Sequence, residues 1–206
     1  MPDTEFATAL VLPTDRIAVL SILILDASGS MGRHGDAPQV AVNKNTAGLK
    51  ADKERRHFAS LVTFADTYTI NFPLMPIEEV PEFTDYKAGG NTLLYRTVKR
   101  VLQSLHNLWK NLTPRQRQML RIVVTVISDG DDNRSPKRLY PAVLRDFSMV
   151  GRQYGWTLQA FGLGIDGKRL ARDMGFDLNL AETLDADQQS IAQAVDIHTT
   201  RTTTFR

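Results

Sequence analysis

Residues 17–32 read Ile-Ala-Val-Leu-Ser-Ile-Leu-Ile-Leu-Asp-Ala-Ser-Gly-Ser-Met-Gly, an apolar run that leads directly into a polar loop. The run is rich in β-branched residues, which is typical of a strand buried on both faces of a sheet. It is too short to cross a bilayer. Asp26, Ser28 and Ser30 follow at alternate positions, and Gly29 and Gly32 give this loop backbone freedom. Three oxygen-bearing side chains are therefore expected close together where the strand ends.

The length and composition of the chain predict one ordinary globular domain. Its 206 residues are 42% hydrophobic and 23% charged, which excludes disordered and fibrous classes. We expect a lead-in over residues 1–16, the domain over residues 17–198 and a loosely ordered polar tail over residues 199–206. There is no cysteine, so disulfide and thiol chemistry are excluded.

Charge and hydropathy patterns bear on location and partners. Asp3 and Glu5 stand where a secretory signal has basic residues, so a cytoplasmic protein is predicted. The net charge is only +2, and Lys and Arg are spread along the chain. Without a basic stripe interleaved with aromatic residues, no nucleic-acid partner is predicted. No membrane partner is predicted either, and the oligomeric state is left open.

The remaining chain alternates apolar strands with amphipathic helices. Strands are predicted at residues 17–25, 58–65, 68–72, 121–128, 156–162 and 178–181, and helices at residues 93–109, 136–152, 164–174 and 187–198. The two-residue connection at 66–67 requires a hairpin, so the third strand is antiparallel and lies at an edge. The predicted fold class is therefore α/β: a doubly wound, Rossmann-like, mostly parallel sheet with one antiparallel edge strand and helices on both faces.

The sequence marks one whole helix and the start of another less clearly. Residues 39–56 form a weak helix prediction, because Asn43, Asn45 and Gly48 lower helix propensity and a short or broken helix is expected. Asn91 or Thr92, after Gly89-Gly90, stands where the N-cap of the second helix is expected.

Three pieces of sequence are expected at one edge of the sheet. Asp26 and Asp129 each end a strand, and Thr92 opens a helix after the Gly-Gly loop. Ligands of doubly wound sheets bind outside the carboxyl ends of the strands, so these oxygens can share a cation with Ser28 and Ser30. An oxygen-only ligand set favours Mg²⁺, with Mn²⁺ and Ca²⁺ as alternatives, over zinc.

This joint pattern resembles the metal-ion-dependent adhesion site of von Willebrand factor type A domains, and the resemblance runs over about residues 17–197. It implies that the hydroxyls of Ser28, Ser30 and Thr92 ligate the ion, and that Asp26 and Asp129 ligate it directly or through water. It also implies a non-enzymatic module in which an Asp or Glu of a partner protein completes the coordination. The chain is most similar to the small bacterial type, which includes proteins linked to stress and tellurite resistance.

Alternative functions use the same edge of the sheet. One is a Mg²⁺-dependent hydrolase or phosphotransferase, with His34 as a base for Ser28 or Ser30. A histidine on a surface loop is the simpler interpretation of His34, so we predict no catalytic residue. The sequence has no dinucleotide-binding fingerprint, so no organic cofactor is predicted. Asp131 and Asp132 are expected to cap a solvent loop rather than to extend the site. The other alternative is a regulatory subunit in which the closing helix shifts on metal binding.

Overall fold

A six-stranded sheet forms the centre of the molecule. The computed structural model describes residues 12–13, 15–136 and 140–204, so most of the predicted lead-in lies outside the described residues. The order of the strands is β3-β2-β1-β4-β5-β6. Their bounds are β1 Ala18–Asp26, β2 Arg56–Phe64, β3 Tyr68–Pro76, β4 Leu120–Ser128, β5 Thr157–Leu163 and β6 Ala181–Leu184. All neighbours pair in parallel except β3, which runs antiparallel to β2 at one edge. The predicted fold class is confirmed.

Helices cover both faces of the sheet. They are α1 Ala37–Ala51, α2 Leu94–Lys110, α3 Pro114–Gln118, α4 Tyr140–Gln153, α5 Gly167–Met174 and α6 Gln188–Thr203, with 3-10 turns at Gly29–His34, Ile77–Glu79 and Leu178–Leu180. The apolar side chains of α1 and α6 pack into one core cluster, and those of α2, α4 and α5 into another. The sheet therefore separates two cores.

Strand β1 lies in the middle of the sheet, and all nine of its residues are buried. Ile22 and Ile24 belong to the core beneath α2, whereas Leu23 and Leu25 belong to the core beneath α1. Burying each such side chain contributes about 1.5–3 kcal/mol to stability. This two-sided burial explains why the run is apolar without alternation.

Helix α1 is continuous over fifteen residues, so the expectation of a short or broken helix was wrong. Its low-propensity residues lie against α6. Oδ1 of Asn45 accepts a hydrogen bond from Thr199 Oγ1 at 2.8 Å. A Cβ added to Gly48 would lie 3.0 Å from Thr199 Cγ2, so the glycine permits the close approach of the two helices. Tertiary packing here outweighs helix propensity.

The start of α2 also differs from the prediction. Leu93 occupies the N-cap position and makes no side-chain cap, so neither Asn91 nor Thr92 caps the helix. Asp132, from the loop after β4, accepts the N–H of Tyr95 through Oδ2 at 2.7 Å. A residue distant in sequence therefore satisfies the helix terminus, and Thr92 is left outside the helix.

The C-terminal elements are shifted relative to the sequence prediction. Helix α6 ends at Thr203, so residues 199–203 are helical and do not form a loose tail. The last strand lies at Ala181–Leu184, three residues later than predicted, because a 3-10 turn occupies Leu178–Leu180. Helix α4 is described from Tyr140, and the first residues predicted for it include 137–139, which lie outside the described residues.

A buried polar network fastens α6 to the sheet. His198 is fully buried, with Nε2 2.6 Å from Ser21 Oγ on β1 and Nδ1 2.6 Å from Thr125 Oγ1 on β4. Gln159 on β5 donates to the same threonine and accepts a hydrogen bond from Arg201 at 2.7 Å. Burial lowers the pKa of His198 to about 3, so the ring is neutral near neutral pH.

We predict that His198 makes the stability of the fold depend on pH. The unfolded chain binds a proton at this residue below about pH 6.5, whereas the folded chain does not until about pH 3. Stability is therefore complete above pH 6.5 and falls between these values by at most about 1.4 kcal/mol per pH unit. In denaturant titrations, the stability lost in His198→Gln should shrink as the pH falls from 7 to about 4.5.

Ser21→Ala is the matched control, because it removes a hydrogen bond to the ring but leaves the titrating group in place. Its stability loss should stay nearly constant over the same pH range. Parallel pH profiles for wild type and His198→Gln would contradict the assignment.

Candidate metal centre

The adjacent ends of β1 and β4 are joined through one buried carboxylate. Asp26 is 0% exposed, and its Oδ1 accepts the N–H of Ser28 at 2.8 Å. Its Oδ2 accepts a short hydrogen bond from Ser128 Oγ at the end of β4. Burial raises the pKa of Asp26 to about 6, although these hydrogen bonds oppose the rise. Asp26 thereby fixes the loop that carries Ser28 against the neighbouring strand.

Two serines and the second aspartate form a chain of oxygens above this carboxylate. Ser28 Oγ lies 3.2 Å from Ser30 Oγ, and Ser30 Oγ donates to Asp129 Oδ1 at 2.6 Å. Ser28 and Asp129 are buried, whereas Ser30 is exposed. The arrangement therefore has one side open to solvent.

The Gly-Gly loop is held against the serine loop by backbone hydrogen bonds. Gly29 donates to the carbonyl of Gly90 at 3.0 Å, and Gly89 donates to the carbonyl of Ala27 at 2.8 Å. Gly90 has φ +76°, and a Cβ there would lie 2.2 Å from Asp66 Oδ2. Only glycine fits this position without rearrangement.

Thr92 completes the group of predicted residues. A Cβ added to Gly130 would lie 3.7 Å from Thr92 Oγ1 and 3.9 Å from Ser30 Oγ. Both hydroxyls therefore border the small space above Gly130, next to Asp129. The structure brings all the predicted side chains to this edge, namely Asp26, Ser28, Ser30, Thr92 and Asp129. Their role as metal ligands stays a prediction.

The chemistry of these oxygens fits a hard divalent cation. The 3.2 Å between Ser28 Oγ and Ser30 Oγ is close to the separation of about 3 Å between neighbouring ligands of an octahedral Mg²⁺. The described residues contain no group of three His, Cys, Asp or Glu side chains that could hold a metal. A cation here would thus depend on hydroxyls, with Ser28, Ser30, Thr92 and Asp129 to hold it and Asp26 beneath.

Three contacts of the site were not predicted. Arg33 donates through Nη2 to Asp129 Oδ2 at 2.7 Å and through Nε to the carbonyl of Ser30 at 3.0 Å. The Tyr86 hydroxyl donates to the carbonyl of Asp26 at 2.8 Å, and burial raises its pKa. Ser128 directly precedes Asp129, and this position next to a predicted site residue is a signal that could have identified it. The sequence carries no signal for Arg33 or Tyr86, which reach the site through the fold.

Three neighbouring side chains can be compared with their sequence interpretation. His34 is fully buried rather than on the surface, with Nε2 3.9 Å from Asp129 Oδ2, and burial lowers its pKa. Asp132 caps its own loop as expected, because its Oδ1 accepts the N–H groups of Arg134 and Ser135, but it is buried and its Oδ2 also caps α2. Asp131 is exposed and pairs with Arg169 at 2.6 Å.

Solved structures similar to this chain include a von Willebrand factor type A domain. A domain of this type from Catenulispora acidiphila matches 91% of this chain and 43% of its own at 16% identity, with a TM-score of 0.59. Proximal thread matrix protein 1 from the mussel byssus was solved with zinc in its MIDAS (metal-ion-dependent adhesion site) motif. It matches 92% of this chain and 46% of its own at 16% identity, with a TM-score of 0.56. An aerotolerance-related membrane protein from Bacteroides fragilis matches 90% of this chain and 99% of its own at 12% identity, with a TM-score of 0.51.

These similarities show the fold of the chain. The chain spans about half or less of the length of the first two structures. No protein-family model matches the sequence, and no curated protein matches it significantly. Within the described residues, no helix has both the length and the apolar character needed to cross a membrane.

Removing the Asp129 carboxylate should strongly weaken divalent-cation binding. In isothermal titration with Mg²⁺, Asp129→Ala should bind at least about tenfold more weakly than wild type, since an anionic ligand is lost. Asp131→Ala removes an equally charged, exposed neighbour and should leave affinity unchanged. An equal loss in both variants would indicate a diffuse charge effect and no defined site.

Arg33 should compete with the cation, because its guanidinium lies on Asp129. Replacing it with glutamine removes a positive charge beside the site and should raise Mg²⁺ affinity by about threefold to tenfold. Arg169→Gln, which removes the guanidinium paired with Asp131, is the control. Unchanged affinity in Arg33→Gln would show that this arginine moves aside without cost.

Proposed function

We propose that this chain, which has the fold of a von Willebrand factor type A domain, is a non-enzymatic protein-interaction module that holds Mg²⁺ and binds an Asp or Glu of a partner protein. The convergence of Ser28, Ser30, Thr92 and Asp129 at one solvent-facing edge of the sheet carries the proposal. A cytoplasmic location and a role in a stress or tellurite-resistance-type system stay predictions from the sequence.

The protein oxygens explain why an acidic partner would be needed. The four side chains that border the site include one carboxylate and three hydroxyls, so they carry little negative charge. Mg²⁺ takes about six oxygen ligands and keeps water where protein ligands are lacking. A bound cation supplies a position that a carboxylate from another protein can take, and the exposed side at Ser30 gives access to it.

A catalytic role has less support from the geometry. Ser30 donates to Asp129, a side chain expected to hold the cation, and Ser28 lies beside Ser30, so neither hydroxyl is hydrogen-bonded to His34. His34 is fully buried and lies beside Asp129. If the chain were a hydrolase or phosphotransferase, purified protein would turn over phosphoesters in Mg²⁺ and Asp129→Ala would not.

A regulatory role through the closing helix would require α6 to move. His198 fastens this helix to β1 and β4 through Ser21 and Thr125, and such a shift would have to break both contacts. Hydrogen exchange in α6 that is unchanged on addition of Mg²⁺ and partner would count against this alternative.

Affinity capture from the lysate of the native cell tests the proposal. Wild type in Mg²⁺ and Asp131→Ala in Mg²⁺ should retain a protein that is strongly depleted from wild type in EDTA and from Asp129→Ala. The reason is that only the first two conditions keep the cation and the surface around it. Equal recovery under all four conditions would contradict metal-dependent recognition.

A further inference from the structure

The charges of this chain are strongly segregated along its sequence. Residues 86–128 contain eight Lys and Arg and no Asp or Glu. The rest of the chain therefore has 17 Lys and Arg against 23 Asp and Glu. The small net charge of +2 conceals this division, and the basic part comprises α2, α3 and β4.

Basic side chains of this segment line the outer surface of α2. At 100° per residue, Arg96, Lys99, Arg100 and Lys110 fall within an arc of about 100° that extends about 21 Å along the helix. Arg96 and Lys110 are exposed, and Lys99 and Arg100 are partly exposed. Arg115 is exposed on α3, which follows closely on α2. We call these five residues the basic face.

Most of these charges have no acidic partner in the part of the chain that the structure describes. Among the described residues, no carboxylate lies within salt-bridge distance of Arg96, Lys99, Lys110 or Arg115. The guanidinium of Arg100 lies over the ring of Tyr68 at 4.8 Å. Some exposed basic residues elsewhere are paired, such as Lys44 with Asp196. Arg96, Lys99, Lys110 and Arg115 of the basic face are therefore available to an anionic partner.

The basic face begins beside the candidate metal centre. Helix α2 starts at Leu94, two residues after Thr92, and Arg96 lies in its first turn. The face then follows the helix away from the metal-binding edge of the sheet. An extended chain with a carboxylate at the metal can continue along α2 over several residues.

We propose that the basic face binds an extended acidic segment of the partner whose carboxylate reaches the cation. The identity of the partner rests on the proposed function, whereas the affinity of the face for acidic peptide does not. Gln103 and Asn107 lie within the same arc, and their amides can hydrogen-bond to the backbone of such a segment.

The composition of the face favours protein over nucleic acid or membrane. Single-stranded nucleic acids stack on exposed aromatic rings, and the residues between the basic ones on this face are amides. Helices that lie on membranes combine basic side chains with apolar ones that insert among lipids. The large hydrophobic residues exposed in the described part of the chain are Val40, Met149, Tyr154 and Leu178, none of them on α2 or α3.

Fluorescence anisotropy with a labelled peptide of about ten glutamates in low salt tests this surface. Wild type in EDTA should bind the peptide, and Lys99→Glu/Lys110→Glu should bind at least about tenfold more weakly. Lys44→Glu/Lys53→Glu makes the same charge change on the side of the sheet that carries α1, and should bind like wild type. The difference should shrink as salt is raised to about 0.5 M.

Each result decides the proposal. It is overturned if wild type does not bind in EDTA, or if the two double variants bind alike. It is also overturned if an oligothymidylate of equal charge, or vesicles of phosphatidylserine and phosphatidylcholine, bind the face more tightly than the peptide. A separate comparison in Mg²⁺ tests the proposed function: if Mg²⁺ adds no affinity in wild type, the metal-dependent step fails while the basic face stands.

Discussion

The edge of the sheet depends on the buried carboxylate of Asp26. Its two oxygens accept hydrogen bonds from Ser28 of the following loop and from Ser128 of the next strand. Burying a carboxylate is costly unless its oxygens are paired, and the pKa raised to about 6 reflects that cost. The hydrogen bonds offset part of it and fix the serine loop in one position. A carboxylate that is costly to bury thus positions Ser28 and the loop that carries it.

Backbone hydrogen bonds of glycines connect the end of β1 to the loop that carries Thr92. The exchange of hydrogen bonds between residues 27–29 and residues 89–90 places the Gly-Gly loop over the end of β1. Asp66 accepts the side-chain N–H of Asn91 at 2.6 Å and closely approaches Gly90. Three connections of the sheet therefore meet at this edge, and the hydroxyl of Thr92 is positioned by all of them. A hard cation takes about six oxygen ligands, and this packing brings hydroxyl and carboxylate oxygens of separate loops together.

The sequence predicted well what depends on burial and poorly what depends on distant partners. Two-sided burial makes β1 an apolar run, and a two-residue connection requires the β2–β3 hairpin. The candidate site residues meet at one edge because they stand where such elements end, and their role as ligands stays a prediction. The continuity of α1 could not be predicted, because it depends on contacts with Thr199, and the cap of α2 comes from Asp132. Arg33 reaches Asp129 only through the fold.

The charge distribution links these observations to recognition. An acidic partner approaching α2 meets an attractive surface, whereas the rest of the chain has more acidic than basic residues. Such asymmetry speeds association and favours one orientation before short-range contacts form. Arg33 would add to this attraction. Its guanidinium lies on Asp129, and a cation that displaced it would leave it able to pair with the incoming carboxylate. Affinity at a metal with few protein charges is limited, and a basic helix beside it would supply the additional attraction that an acidic segment requires.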